Sequence, residues 1–248
     1  MEKTEIKINN LTKRFGEVKA VNGLNLEVKS GELFGLLGPN GAGKSTAINI
    51  LTGLLEPTSG SANLGGYDIQ KQSEKVKELI GVCPQEIAVY PYLTGRENVE
   101  FFGSLHDMPK DKLKKIVDEL LDKMGLKEDA DRKIKGYSGG MKRRISLIMA
   151  LVNEPEIAFL DEPTVGLDPH SRHAVWDFIL EIKKKRKTII LTTHYMEEAE
   201  YLCDRVGIID YGKLIALGTP EELKKKHNAK NLEEVFIQLT GRDLREGM

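Results

Sequence analysis

The 248-residue sequence predicts an α/β fold built on a mostly parallel sheet, and three observations point to it. Short continuous apolar runs, the pattern of strands buried on both faces, recur at 33–37, 157–160, 188–192 and 206–209. Helical patterns, at about 170–186 and 196–203, separate the later runs. A glycine-rich turn stands between the first run and an amphipathic helix, as in a strand–loop–helix unit.

Each element follows from its own pattern. Leu24, Leu26 and Val28 alternate with Asn25, Glu27 and Lys29, the period of a half-buried strand, and Ser30-Gly31 turns the chain. Leu33-Phe34-Gly35-Leu36-Leu37 has no polar face at all. After the glycine-rich turn, Ala47, Ile48, Ile50, Leu51, Leu54 and Leu55 recur at helical spacing, and the helix is predicted to run until Glu56-Pro57. Ile80-Gly81-Val82-Cys83 reads as another short strand.

From 91 to 154 no strand is evident, and Leu113, Ile116, Val117, Leu120, Leu121 and Met124 follow i, i+3, i+4 spacing. That stretch is expected to be an all-helical subdomain inserted in an α/β core formed by 1–90 and 155–226. Residues 227–248 are expected to form a C-terminal helical tail, with Leu232, Val235, Phe236 and Leu239 on one face.

Composition narrows the function. Lysine plus arginine total 37 against 38 acidic residues, which counts against a dedicated nucleic-acid binder. Cys83 and Cys203 lack metal-type spacing, so neither a disulfide framework nor a thiolate metal site is expected, and a reducing cytosol fits best. The longest apolar run, 145–152, falls far short of the roughly 20 residues that a spanning helix needs. The charged amino end carries no secretory pattern.

Gly38-Pro39-Asn40-Gly41-Ala42-Gly43-Lys44-Ser45, with Thr46 beyond, satisfies the phosphate-loop pattern G-x-x-x-x-G-K-[ST]. Glycines let successive backbone N–H groups turn inward around an anion, and the following helix adds its positive end. Lys44 supplies a point charge for the terminal phosphates, and the Ser45 hydroxyl can ligate Mg²⁺. Phosphoryl transfer also needs a carboxylate near the metal. Asp161-Glu162 ends an apolar strand, where ligands of parallel sheets bind. Asp161 would hold Mg²⁺ through water and Glu162 would polarise the attacking water; the alternative is that the pair caps a helix after Pro163.

Tyr137-Ser138-Gly139-Gly140-Met141 resembles the signature motif of ATP-binding-cassette (ABC) ATPases, commonly written Leu-Ser-Gly-Gly-Gln. Tyr137 and Met141 depart from the commonest form, while the Ser-Gly-Gly centre is intact. Further elements resemble the family in register. Phe15 matches the aromatic that stacks on adenine, and Gln85 the glutamine that touches Mg²⁺. Asp168 matches an aspartate at the dimer seam, although it could equally cap the helix that begins near Pro169. His194 matches the histidine that senses the γ-phosphate.

The resemblance implies a P-loop NTPase (RecA-like) core with an antiparallel β region, and ATP and Mg²⁺ as cofactors. It further implies a second ATP-binding subunit, because Ser138, Gly139 and Gly140 act on the partner's nucleotide and two ATPs are sandwiched between copies. The expected role is the ATP-hydrolysing subunit of a transporter of the bacterial and archaeal exporter type. A separate membrane permease would hold it at the inner face of the membrane. The segment 88–93 is a candidate permease contact; the alternative is that it packs on the helical insertion. A soluble cassette acting on nucleic acid or the ribosome, and a force-transmitting cassette without transport, are the competing classes. The basic run 183–187, and Lys142, Arg143 and Arg144, are expected to be solvated cations at helix ends.

Overall fold

The structure is a computed structural model describing residues 4–241. The first residues of the charged amino end and the end of the expected tail, 242–248, lie outside the described residues.

The chain opens with a hairpin of β1 (Thr4–Phe15) and β2 (Val18–Lys29), then β3 (Leu33–Leu37) and α1 (Lys44–Leu51). β4 (Ser59–Leu64), β5 (Tyr67–Asp68), α2 (Ser73–Leu79) and β6 (Ile80–Cys83) follow. The helical stretch comprises α3 (Gly95–Ser104), α4 (Lys110–Lys123), a 3-10 turn at Ile134–Gly136 and α5 (Gly139–Leu151). Strand and helix then alternate through β7 (Ile157–Asp161), α6 (Pro169–Lys184), β8 (Thr188–Thr193), α7 (Met196–Leu202), β9 (Arg205–Asp210) and β10 (Lys213–Gly218). Two short helices, α8 (Pro220–Lys226) and α9 (Leu232–Thr240), end the described chain.

Strands β2-β1-β4-β5 form an antiparallel sheet, and β10-β9-β3-β8-β7-β6 a second sheet in which only β10 runs against its neighbour. Alternation inside the buried runs explains the layering. Phe34, Leu36, Ile157, Phe159 and Ile190 enter a core shared with the antiparallel sheet and α1. Leu33, Leu37, Ala158, Leu160, Ile189 and Leu191 enter a second core shared with α4, α5, α6, α7 and α9. With both faces covered, the central strands have no place for a polar residue except at their ends.

The parallel register levels those ends. Leu37 pairs with Thr193, Asp161 with Thr192, and Cys83 with Leu160, which in turn pairs with Leu191. The carboxyl ends of four neighbouring strands therefore finish within two residues of each other, where ligands of open parallel sheets bind.

Two expectations need correction. α1 stops at Leu51, well before Glu56-Pro57. The Thr52 hydroxyl bonds back to the Ile48 carbonyl at 3.0 Å, Gly53 turns left-handed at φ 78°, and the amides of Leu54 and Leu55 both close on the Asn49 carbonyl. A left-handed glycine is a helix stop that the apolar spacing of Leu54 and Leu55 concealed. The basic run is also less solvated than expected: Lys183 pairs with Asp204 at 2.5 Å and Lys187 with Glu156 at 2.9 Å, fastening the end of α6 to neighbouring loops.

Candidate active site

The glycine-rich loop leaves β3 and enters α1 through Gly43, whose φ of 104° no other residue type adopts readily. A Cβ there would stand 2.1 Å from the Ala20 carbonyl oxygen, and one on Gly38 would stand 2.4 Å from the Ile209 carbonyl oxygen. Glycine is therefore required by packing as well as by conformation. Among the described residues no side chain caps α1, and its first-turn N–H groups face outward as an anion site would need. Lys44 is buried and lies across its own loop, donating to the carbonyls of Gly38 at 2.7 Å and Pro39 at 3.1 Å. Burial lowers its ammonium from the ordinary lysine value, against the pull of Glu162 and Asp161.

Glu162 collects the other groups. Its carboxylate accepts from the Gln85 side-chain amide at 3.1 Å, lies 3.2 Å from His194 Nδ1 and stands 4.0 Å from Lys44 Nζ. Burial pushes this carboxyl up, but the hydrogen bond and charge of His194, with Lys44 and Arg143, outweigh it and hold it below the usual carboxylate range. Its backbone is left-handed at φ 49°, and its N–H donates to both the carbonyl and the hydroxyl of Thr192 at 3.1 Å. The same hydroxyl donates to Asp161 Oδ1, so Thr192 orients both acids. The acid pair is thus committed to this cluster and does not cap a helix.

The serine–glycine turn opens α5. Ser138 is its N-cap, accepting from the Met141 N–H at 3.2 Å, and Ser138 and Gly139 are exposed. Nothing lies within 4 Å of a Cβ placed on Gly139. Tyr137 is buried and donates its hydroxyl to the Asp129 carbonyl, while the Arg132 guanidinium covers its ring and donates to Met141 Sδ at 3.6 Å. The two departures from the commonest signature therefore share one local contact.

Comparison with known proteins adds the decisive observation. Residues 21–165 match the ABC transporter family. The chain is 46% identical over 235 residues to the linearmycin resistance ATP-binding protein LnrL of Bacillus subtilis, covering 95% of this chain and 74% of that protein. It is 43% identical over 236 residues to the Nod factor export ATP-binding protein I of Rhizobium sp. (strain N33), covering 95% and 78%. A solved dimeric ATP-binding cassette in a post-hydrolysis state, bound to ADP and Pi, is 28% identical with a TM-score of 0.79 over 86% of this chain and 98% of that one.

The chain belongs to the ABC transporter family. It is an ATP-binding and ATP-hydrolysing subunit of that family, and no helix among its described residues is long and apolar enough to cross a membrane.

Phe15 lies at the end of β1, half exposed at 50%, with Lys13 Nζ 5.2 Å from the ring centroid. Asp168 is the N-cap of α6, accepting from the Ser171 N–H at 3.0 Å, and the hydroxyl and amide of Ser171 hold its carboxyl below the usual range. The segment 88–93 divides between its two readings. Val89 packs on the core, while Tyr92 is 75% exposed and Tyr90 is 49% exposed with its ring edge-on to Phe101.

The oxygen donors suit Mg²⁺. Gln85 directs its amide nitrogen at Glu162, which leaves its oxygen for a hard cation, and Ser45 and Asp161 supply two more hard donors. Among the described residues no three His, Cys, Asp or Glu side chains form a metal cage.

Sequence reasoning missed three polar residues and misread a fourth. Thr192 and Glu198 are fully buried, and Asn98 clasps the Tyr90 backbone with bonds of 2.7 and 3.1 Å. Arg143, expected to be solvated, is only 3% exposed. The largely apolar run 145–152 marked the later turns of that helix as enclosed, but Lys142, Arg143 and Arg144 sit before it and no local pattern singles out Arg143.

Proposed function

We propose that this chain binds Mg-ATP between two copies of the cassette, hydrolyses it, and drives a separate membrane permease in export. One observation carries the catalytic half. A single carboxylate, Glu162, faces Gln85, His194 and Lys44 at the carboxyl edge of the parallel sheet. Its carboxyl, held below the usual range, stays ionised at neutral pH and is ready to orient and polarise a water. His194 fixes the orientation of that carboxylate, and the phosphate loop with Lys44 grips the β- and γ-phosphates. Ser45, Gln85 and Asp161, the last through water, would hold Mg²⁺, which supplies neutralisation of charge on the transferred phosphoryl group. Phe15 offers a ring face to adenine.

Ser138, Gly139 and Gly140 would close over the nucleotide of the second subunit, with Asp168 at the seam. The exposed N-terminus of a thirteen-residue helix favours that anion. The resistance and Nod factor export names of the relatives support export as the direction. Residues 91–154 form the arm that meets the permease, with Tyr90 and Tyr92 as its contact. Apolar rings left in water favour a partner. The permease thereby holds the chain at the inner face of the cell membrane.

Replacing Glu162 tests the reading. Glu162→Gln should bind ATP normally while ATP turnover falls by about 10²–10⁴, and a two-copy species should accumulate with Mg-ATP. Turnover assays and size-exclusion chromatography measure both; unchanged turnover removes Glu162 as the base.

A further inference from the structure

The Arg143 guanidinium has five N–H groups, and each meets a main-chain carbonyl. Nη1 donates to Pro84 at 2.7 Å and Gln85 at 2.9 Å. Nη2 donates to Asp161 and Glu162, both at 2.5 Å, and Nε to Pro163 at 3.1 Å. Two separate loops are gripped from one side chain: the turn after β6, carrying Gln85, and the turn after β7, carrying Glu162.

We propose that Arg143 is a positioning residue that locks the serine–glycine helix α5 to the backbones of Gln85 and Glu162, so that the three move as one piece. The proposal rests on the roles given above to Gln85 and Glu162.

Geometry supports more than filling of a core. Glu162 holds a left-handed backbone that a glutamate keeps only where its surroundings dictate it. Its N–H is held by Thr192 and its carbonyl by Arg143, so the orientation of the carboxylate is set from both sides. Arg143 also lies in the first turn and a half of α5, just past Gly139 and Gly140. Any tilt of the helix that follows nucleotide capture at its N-terminus is transmitted through a rigid planar fork to both loops. A lysine keeps the charge but offers its donors from one nitrogen, and cannot reach carbonyls on two loops in this planar arrangement.

Arg143→Gln and Arg143→Lys test this, with Glu162→Gln beside them as a control for the proposed chemistry. ATP turnover, KM and Mg-ATP affinity are measured for each. Because Arg143 meets main-chain carbonyls and not the phosphate loop, Arg143→Gln should lower kcat about a hundred-fold while KM and nucleotide affinity stay within about three-fold. Arg143→Lys should recover part of the loss, to about ten-fold below the native rate, since charge is restored without the fork. Where Arg143→Gln does not fold, the same split in Arg143→Lys decides. Full activity in Arg143→Gln, or nucleotide affinity lost in step with kcat in both variants, overturns the proposal. Full activity in Glu162→Gln instead overturns the assignment of the base, and the two failures are told apart.

Discussion

Gly41 and Gly43 are both left-handed, at φ 78° and 104°, yet they tolerate change differently. A Cβ on Gly41 meets nothing within 4 Å, whereas one on Gly43 would lie 2.1 Å from the Ala20 carbonyl oxygen. Gly41→Ala carries only the conformational penalty, roughly 1–2 kcal/mol. Gly43→Ala must also push the loop away from β2, and with it the first-turn amides that would meet phosphate. Isothermal titration should therefore show ATP affinity reduced at least about ten-fold more in Gly43→Ala than in Gly41→Ala. The phosphate-loop pattern was legible because its chemistry depends on consecutive residues. Which glycine abuts a distant carbonyl was not, since Ala20 and Gly43 meet only in three dimensions.

Among the elements, α7 holds the clearest pH-dependent feature. Glu198 is wholly buried, and its Oε1 accepts from the Thr164 hydroxyl at 2.7 Å and the Trp176 indole at 2.8 Å. Among the described residues its Oε2 has no hydrogen-bond partner. Burial is the largest influence and raises this carboxyl above the usual range, despite the hydroxyl and indole groups around it. A carboxyl raised in the folded state stabilises in acid, below its unfolded value, and that contribution is lost as pH rises through the folded value. Glu198→Gln cannot ionise. Its melting temperature should therefore rise relative to the native protein as pH goes from acid to neutral, and differential scanning calorimetry across that range measures the trend. Helix α7 itself was legible from its apolar spacing. The burial of Glu198 was not, because Glu197, Glu198 and Glu200 look equivalent along the chain and the packing against Trp176 and Thr164 distinguishes one of them.

Across the whole molecule, the six-stranded sheet separates two apolar cores, and Phe159 on β7 is fully buried in the one facing the antiparallel sheet. Phe159→Ala removes a whole ring from a close-packed site and should cost about 3–5 kcal/mol. For a chain of this size the melting temperature should drop by roughly 10 °C, which thermal unfolding followed by circular dichroism would measure. Phe15, half exposed at the edge of the fold, should change stability by less than about 1 kcal/mol when replaced by Ala, so a nucleotide-affinity loss there would be separable from unfolding.

Wherever a feature arises from neighbours along the chain, the amino-acid sequence was sufficient: the phosphate loop, the buried strands, the acid pair, the Ser-Gly-Gly turn and the Asp168 cap. Hydrophobic period and motif spacing encode these directly. Strands β1, β4 and β10 were harder to see, because charged and small residues interrupt their apolar pattern. Long-range packing settled the rest. It made Arg143 a buried five-way tie between adjacent cations that read alike, levelled the strand ends so that Glu162 meets Gln85 and His194, and turned Gly43 against Ala20. Burial and contact depend on which surfaces meet once the chain has folded, and no local spacing carries that information.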